Sequence, residues 1–171
     1  MFIRNLANLI TGSRIAATIA LIFLEVLSKP FMYVHIWCGL SDVLDGFVAR
    51  TTKTVSTFGS KLDSVSDLLF YSVMMLKIWP YLKRYLPDYI WILIYLVVGY
   101  RALLYLFVGI RKKVFISGHS YLNKATGFLM FFLPFMVKNA NLVAYSLFIL
   151  LVAYVSSVNE TIYVLKKKVE K

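Results

Sequence analysis

The stretch DVLDGFVARTTKTVSTFGSKLDSVSD, residues 42–67, carries half of the eight acidic residues of this 171-residue chain. Its four aspartates are Asp42, Asp45, Asp63 and Asp67, and apolar runs flank the stretch on both sides. An ionised carboxylate inside an apolar helix is strongly unfavourable unless it is paired, solvated or bound to a metal. Four such groups also repel one another, so the pattern predicts a cation that holds them together.

The spacing of these residues predicts one functional stripe on each of two helices, because positions three or four apart share a helix face. The first stripe consists of Asp42, Asp45 and Ala49, with Gly46 beside them. The second consists of Gly59, Asp63 and Asp67. A short polar stretch, 51–60, joins the two helices, so we expect them to be antiparallel neighbours whose acidic ends meet.

The ligand atoms in this cluster would all be oxygen, which favours a hard cation such as Mg²⁺ or Mn²⁺ over zinc. Four carboxylates suffice for two such ions, an arrangement that clamps phosphoryl groups during displacement. Interhelical pairing of the aspartates with Arg50, Lys53 or Lys61 is the purely structural alternative. A cation or proton transporter is the alternative from another functional class, since intramembrane carboxylates also mark ion pathways.

The composition indicates an all-α integral membrane protein. Sixty per cent of the residues are hydrophobic and 16% are charged, whereas a soluble protein carries roughly 25% charged residues. The apolar residues form about six runs long enough to be transmembrane helices. These runs cover residues 8–27, 31–50, 61–79, 88–110, 121–137 and 141–165, with Pro80 and Pro87 bracketing the turn after the third. We predict a single transmembrane domain over residues 1–171.

The distribution of basic residues predicts the orientation of these helices. The net charge is +11, and most Lys and Arg fall at the N-terminus, in the second and fourth connections and in the C-terminal tail. By the positive-inside rule, both termini and the 51–60 connection are cytoplasmic. The same residues sit at the ends of apolar runs, where lipid head groups explain them better than nucleic acid does.

The motif resembles the signature of the CDP-alcohol phosphotransferase family (CDP-alcohol phosphatidyltransferases). Two aspartates, a glycine, an alanine and an arginine are followed by a glycine and two further aspartates at the family's spacing. These residues are Asp42, Asp45, Gly46, Ala49, Arg50, Gly59, Asp63 and Asp67. The stretch Asn8-Leu9-Ile10-Thr11, with Arg14 after it, is similar to the start of the first helix in the lipid-making branch.

The resemblance implies a role for each residue of the motif. Asp42, Asp45 and Asp63 would hold two Mg²⁺ or Mn²⁺ ions, and Asp67 would contact the metal site and act as the catalytic general base. The nucleotide would be bound by Asp42, Gly46, Ala49, Arg50, Gly59 and Asp63. CDP-diacylglycerol would be the donor, a polar alcohol the acceptor, CMP the leaving group and a homodimer the assembly.

Basic residues in the later helices and their connections bear on the choice of acceptor alcohol. Arg101, Arg111 and Lys124 are candidates to bind the phosphate of an acceptor or a lipid, since cationic side chains form strong hydrogen bonds with phosphate. This favours glycerol 3-phosphate, giving phosphatidylglycerophosphate. Synthases of phosphatidylserine, phosphatidylinositol phosphate or cardiolipin, all from the same family, remain alternatives.

Overall fold

The computed structural model describes residues 2–52, 54, 56–112 and 121–169, and it describes no side chain of residues 2–5, 108–112 or 163–169. Six helices make up most of this part of the chain. They are α1 (Phe2–Phe23), α2 (Lys29–Thr51), α3 (Thr57–Tyr85), α4 (Asp88–Lys112), α5 (Tyr121–Met136) and α6 (Leu142–Val169). The prediction of an all-α chain with six helices is therefore confirmed.

One difference from the predicted boundaries concerns α3, which begins at Thr57 and continues through Pro80 to Tyr85. The prediction that Pro80 opens the turn was wrong. Proline removes one backbone hydrogen bond from a helix, but the buried face of α3 continues on both sides of it through Ile78 and Leu82. Packing on this face stabilises the helix across the proline, and the chain turns only at Leu86 and Pro87.

Three helices in the described part of the chain are long and apolar enough to cross a membrane. The candidate spans are Leu6–Phe23, Asp88–Phe107 and Leu142–Ile162. Helices α2 and α3 carry several charged residues each, and α5 has 16 residues, about 24 Å, against a hydrocarbon core of about 30 Å. Large apolar side chains such as Phe23, Leu76 and Leu103 are exposed, as expected for an integral membrane protein. That all six helices cross the membrane and that both termini lie in the cytoplasm are still predictions.

The described helices fall into two compact units, Met1–Tyr81 and Leu82–Lys171. In the first unit, α1 packs on α2. The buried residues of α1 recur every three or four positions: Ala7, Thr11, Arg14, Thr18 and Leu21. Those of α2 recur in the same way: Phe31, His35, Cys38, Ser41 and Asp45. This is the spacing of a helix–helix seam, and both stripes carry polar side chains at their centre.

The turn between α1 and α2 is fixed by local hydrogen bonds. Leu27 adopts the left-handed region, with φ of 64°. Ser28 then caps α2, because its Oγ accepts a hydrogen bond from the Phe31 N–H at 3.3 Å, and Pro30 follows in the first turn, where its missing N–H is tolerated. At the other side of the turn, Lys77 Nζ donates to the Ile22 carbonyl at 2.9 Å, which satisfies an end group of α1.

In the second unit, α6 packs against both α4 and α5. Its apolar core includes Ile90, Leu133, Val137 and Leu142. Tyr145 of α6 donates from its hydroxyl to the Leu129 carbonyl of α5 at 2.7 Å. The unit also contains a polar network that links all three helices.

Candidate active site

One side chain of α1 joins all four aspartates of the motif. The Arg14 guanidinium contacts Asp42 and Asp45 of α2 and Asp63 and Asp67 of α3. Its Nη1 lies 3.0 Å from Asp42 Oδ1 and 3.2 Å from Asp63 Oδ1 and also contacts Asp67 Oδ1, while Nη2 contacts Asp45 Oδ2. The two acidic stripes therefore meet, as the spacing predicted, and they meet around a cation supplied by a third helix.

The four carboxylates differ sharply in their exposure. The side chain of Asp45 is 6% exposed, whereas those of Asp42, Asp63 and Asp67 are 50%, 44% and 42% exposed. The side chain of Arg14 is 1% exposed. The cluster is thus buried around Asp45 and Arg14 and exposed at the other three carboxylates. A substrate or an ion can reach it from this exposed side, hereafter the open side.

Thr11, one turn before Arg14 on α1, provides a second partner for the buried carboxylate. Its Oγ1 lies 2.7 Å from Asp45 Oδ2 and 3.0 Å from the Ala7 carbonyl oxygen. A hydroxyl has one proton to donate, and a carboxylate is the stronger acceptor. Thr11 and Arg14 together compensate the charge of Asp45, which explains how a carboxylate can be buried here.

The glycines of the motif lie next to polar side chains. At Gly46, an added Cβ would lie 3.4 Å from Arg50 Nη1, so the guanidinium of Arg50 rests over this glycine. At Gly59, an added Cβ would lie 3.0 Å from Asn8 Oδ1 of α1. The approach at Gly59 is closer than ordinary contact and a larger residue would hinder it, whereas a Cβ at Gly46 would meet Arg50 at an ordinary contact distance. Ala49 is half-buried and Arg50 is exposed.

The residues predicted to bind an acceptor lie in the second unit. Arg101 of α4 hydrogen-bonds to Asn123 Oδ1 of α5, and its Nη2 lies 3.5 Å from Glu160 Oε1 of α6. Asn123 donates to Glu160 from Nδ2, and Tyr105 donates to Glu160 Oε2 at 3.3 Å. Arg101 is therefore a member of a three-helix network. Lys124 is exposed, and the side chain of Arg111 lies outside those that the structure describes.

A comparison with family models decides the relationship suggested by the motif. The model described as CDP-alcohol phosphatidyltransferase matches residues 4–159, nearly the whole chain. The chain belongs to this family. The resemblance drawn from the aspartate motif is confirmed, and with it the membership in a family of transferases that act on phosphate-containing groups.

Two curated relatives of the family are similar to part of the chain. A CDP-diacylglycerol–serine O-phosphatidyltransferase from Methanocaldococcus jannaschii is 38% identical over 69 residues, which cover 40% of this chain and 29% of the relative. A CDP-diacylglycerol–glycerol-3-phosphate 3-phosphatidyltransferase from Rickettsia bellii is 31% identical over 81 residues, covering 43% and 45% of the two chains. The chain thus spans less than half the length of either relative. No solved structure matches it at a comparable level.

The cluster has the donor set that the divalent metals of this family require. Asp42, Asp63 and Asp67 each offer one carboxylate oxygen, and the three oxygens lie within 4.8 Å of one another. Hard cations such as Mg²⁺ and Mn²⁺ take oxygen ligands of this kind. A cationic group, the Arg14 guanidinium, already lies among the same carboxylates. When all are ionised, four negative charges and one positive charge leave a net charge of −3, so the residues fit a divalent metal.

Sequence reasoning missed the residues that connect the helices at both polar sites. Arg14 was recognised only as part of the first-helix stretch, although it is the one charged residue in the apolar run 6–23. A lone arginine in such a run requires an anionic partner, and the nearby aspartates are the evident candidates. Asn123 and Glu160 were not singled out. Glu160 lies within the last apolar run. Arg101, a charged residue in another apolar run, also requires an anionic partner, and this requirement was the signal that could have identified Glu160.

Proposed function

We propose that this protein transfers a phosphatidyl group from CDP-diacylglycerol to a polar alcohol, with release of CMP. The observation that carries the proposal is the convergence of four aspartates from two helices on one centre, three of them open to a ligand. The family match and the two relatives, both named as CDP-diacylglycerol phosphatidyltransferases, support the same donor.

Asp42, Asp45, Asp63 and Asp67 would hold two divalent ions, Mg²⁺ or Mn²⁺. Bound there, such ions neutralise the diphosphate of the donor and the charge that develops on the departing CMP. The chain's own contribution is to hold these carboxylates at fixed positions before the substrate binds. Asp45 is fixed most firmly, since Thr11 and Arg14 both contact it.

Asp67 would act as the general base. The acceptor oxygen forms a bond to the phosphorus that carries diacylglycerol, the bond from that phosphorus to the oxygen of CMP breaks, and the hydroxyl proton passes to an Asp67 carboxylate oxygen. Asp67 is partly exposed on the open side of the cluster, where an acceptor hydroxyl can reach it.

The nucleotide of the donor would lie along the motif. Asp42 and Asp63 would bind it together with Gly46, Ala49, Arg50 and Gly59. Arg50 is exposed, so its guanidinium is available to a phosphate or a base, and the absence of a side chain at Gly46 gives it room to move. This assignment is the family's pattern carried onto the matching residues.

We propose glycerol 3-phosphate as the acceptor, with phosphatidylglycerophosphate as the product. Arg101, Arg111 and Lys124 would bind the phosphate of the acceptor or of the lipid. Lys124 is exposed, which favours this role. Arg101 already forms an ion pair with Glu160, so its charge is partly compensated before any phosphate binds. Serine is the competing acceptor, because one relative is named as a serine-using enzyme.

We further propose that the active site faces the cytoplasm and that the protein works as a homodimer.

The test is CMP release by the purified protein in detergent with CDP-diacylglycerol and Mg²⁺ or Mn²⁺. The acceptors are glycerol 3-phosphate, serine, inositol, inositol phosphate and phosphatidylglycerol, tested one at a time. We expect release with glycerol 3-phosphate and a loss of roughly a hundredfold or more in Asp67→Asn. Asp88→Asn, the same change at an exposed residue of α4, is the control and should keep full activity. Release with serine alone would correct the acceptor, and silence with every acceptor would contradict the reaction.

A further inference from the structure

The Arg14 guanidinium lies among the carboxylates of the candidate metal site. Its Nη1 lies among Asp42, Asp63 and Asp67, the same three residues whose carboxylate oxygens lie close enough together to hold one ion. Mg²⁺ binds its oxygen ligands at about 2.1 Å. An ion bound to the three oxygens that Nη1 contacts would need the position of this nitrogen, and the two cations would also repel each other.

The surroundings of Arg14 explain why the guanidinium lies there. The side chain is almost fully buried, and a buried guanidinium must be compensated by anionic partners. The benefit is mutual, since four carboxylates without a cation would repel one another. The fit is nevertheless incomplete: within the described residues, the buried Nε of Arg14 has no hydrogen-bond partner.

We propose that Arg14 is a built-in substitute for the metal: its guanidinium holds the aspartates together in the metal-free protein and leaves Asp42, Asp63 and Asp67 when the ion binds. Arg14 and a divalent metal are then mutually exclusive partners of these carboxylates. Asp45 is a separate case, since it contacts the other terminal nitrogen, Nη2, and Thr11. The inference rests on the metal site proposed above and assigns Arg14 a role in assembling it.

The experiment compares the thermal unfolding of the wild type and Arg14→Gln in detergent, each with a chelator and with Mn²⁺. In chelator, we expect Arg14→Gln to unfold at a temperature lower by roughly 10 °C, because its carboxylates lack a cation. In Mn²⁺, the ion replaces the guanidinium and this deficit should largely disappear. Mn²⁺ should also bind Arg14→Gln more tightly than the wild type, since it need not displace a cation. Arg84→Gln, an exposed arginine over the Tyr85 ring, is the matched control and should follow the wild type in both conditions.

Each other outcome overturns the inference in a distinguishable way. An equal deficit of Arg14→Gln in chelator and in Mn²⁺ would mean that Arg14 supports the fold independently of the ion. Failure of the variant to fold even in Mn²⁺ would mean that the ion cannot take its place. Tighter Mn²⁺ binding by the wild type would make Arg14 a partner of the metal site. If Mn²⁺ stabilises neither protein, the proposed metal site itself is absent.

Discussion

Gly59 marks a close approach of α3 to α1, at the scale of a single residue. A Cβ added there would lie 3.0 Å from Asn8 Oδ1 and 3.1 Å from Ser56 Oγ, and that Oγ accepts the hydrogen bond from the Gly59 N–H that caps α3. Distances of this kind are shorter than ordinary van der Waals contact, so a side chain at this position must displace a neighbour. A residue larger than glycine therefore requires Asn8 or Ser56 to shift by a few tenths of an ångström.

Gly59→Ala should therefore be less stable than the same change at Gly99, where an added Cβ meets no atom within 4 Å. Alanine at Gly99 of α4 should raise the free energy of unfolding by about 0.5–1 kcal/mol through its helix propensity. At Gly59 this gain is offset by the contacts with Asn8 and Ser56, and we expect a difference between the two variants of about 1–2 kcal/mol. Thermal unfolding in detergent measures it. Equal stability of the two variants would show that Asn8 and Ser56 yield without cost.

At the scale of the elements, both units are joined by polar side chains between helices. Apolar surfaces bind weakly to one another in lipid, because the surrounding acyl chains are equally apolar, and polar contacts gain importance there. In the first unit Arg14 of α1 joins α2 and α3. In the second, Asn123 of α5 receives a hydrogen bond from Arg101 of α4 and from Ser156 of α6 and donates one to Glu160.

The pair of Arg101 and Glu160 should be energetically coupled. Glu160 is buried and Arg101 is partly exposed, so removal of either partner leaves an incompletely compensated charge. We expect Glu160→Gln and Arg101→Met each to lower the free energy of unfolding by about 1–3 kcal/mol. The double variant should lose less than the sum, with a coupling energy of about 0.5–3 kcal/mol.

A double-mutant cycle measured by thermal unfolding tests this coupling. Glu25→Gln, an exposed residue in the turn before α2, is the control and should change the stability by less than about 0.5 kcal/mol. Additive effects of the two single variants would mean that Arg101 is not compensated by Glu160. In that case Glu160 would not compete with an acceptor phosphate for Arg101, and the predicted role of Arg101 in the acceptor site would gain support.

At the scale of the whole molecule, the orientation in the membrane is still a prediction from the charge pattern. It requires the connection between α2 and α3 to lie on the cytoplasmic side and the connection between α5 and α6 to lie on the other. A cysteine introduced at Thr54 or at Asn139 reports on one of these two connections. The native Cys38 is buried, so we expect little background labelling from it.

In intact cells, a membrane-impermeant maleimide should label Asn139→Cys and leave Thr54→Cys unlabelled. Both variants should react after the membrane is permeabilised, which serves as the control for accessibility. Labelling of Thr54→Cys alone in intact cells would invert the orientation and move the proposed active site to the other face. Labelling of both would contradict a membrane barrier between the two connections.

The family, the six helices and the meeting of the four aspartates could all be predicted from the amino-acid sequence. Helical periodicity places residues three or four apart on one face, so Asp42 with Asp45 and Asp63 with Asp67 could be paired from spacing alone. A short connection then brings the two stripes together. The predicted break at Pro80 failed because local propensity was outweighed by packing on the buried face of α3.

Which cation meets the aspartates, and how exposed each aspartate is, depends on how the helices pack. Arg14 and Asp67 are separated by 53 residues, and periodicity identifies a polar face without saying which face of another helix it contacts. The same holds for Arg101, Asn123 and Glu160, whose polar groups were separate features in the sequence. Asp45 differs from the three open carboxylates in its burial. The burial of an aspartate depends on how α1 covers the cluster, and no property of the residue itself predicts it.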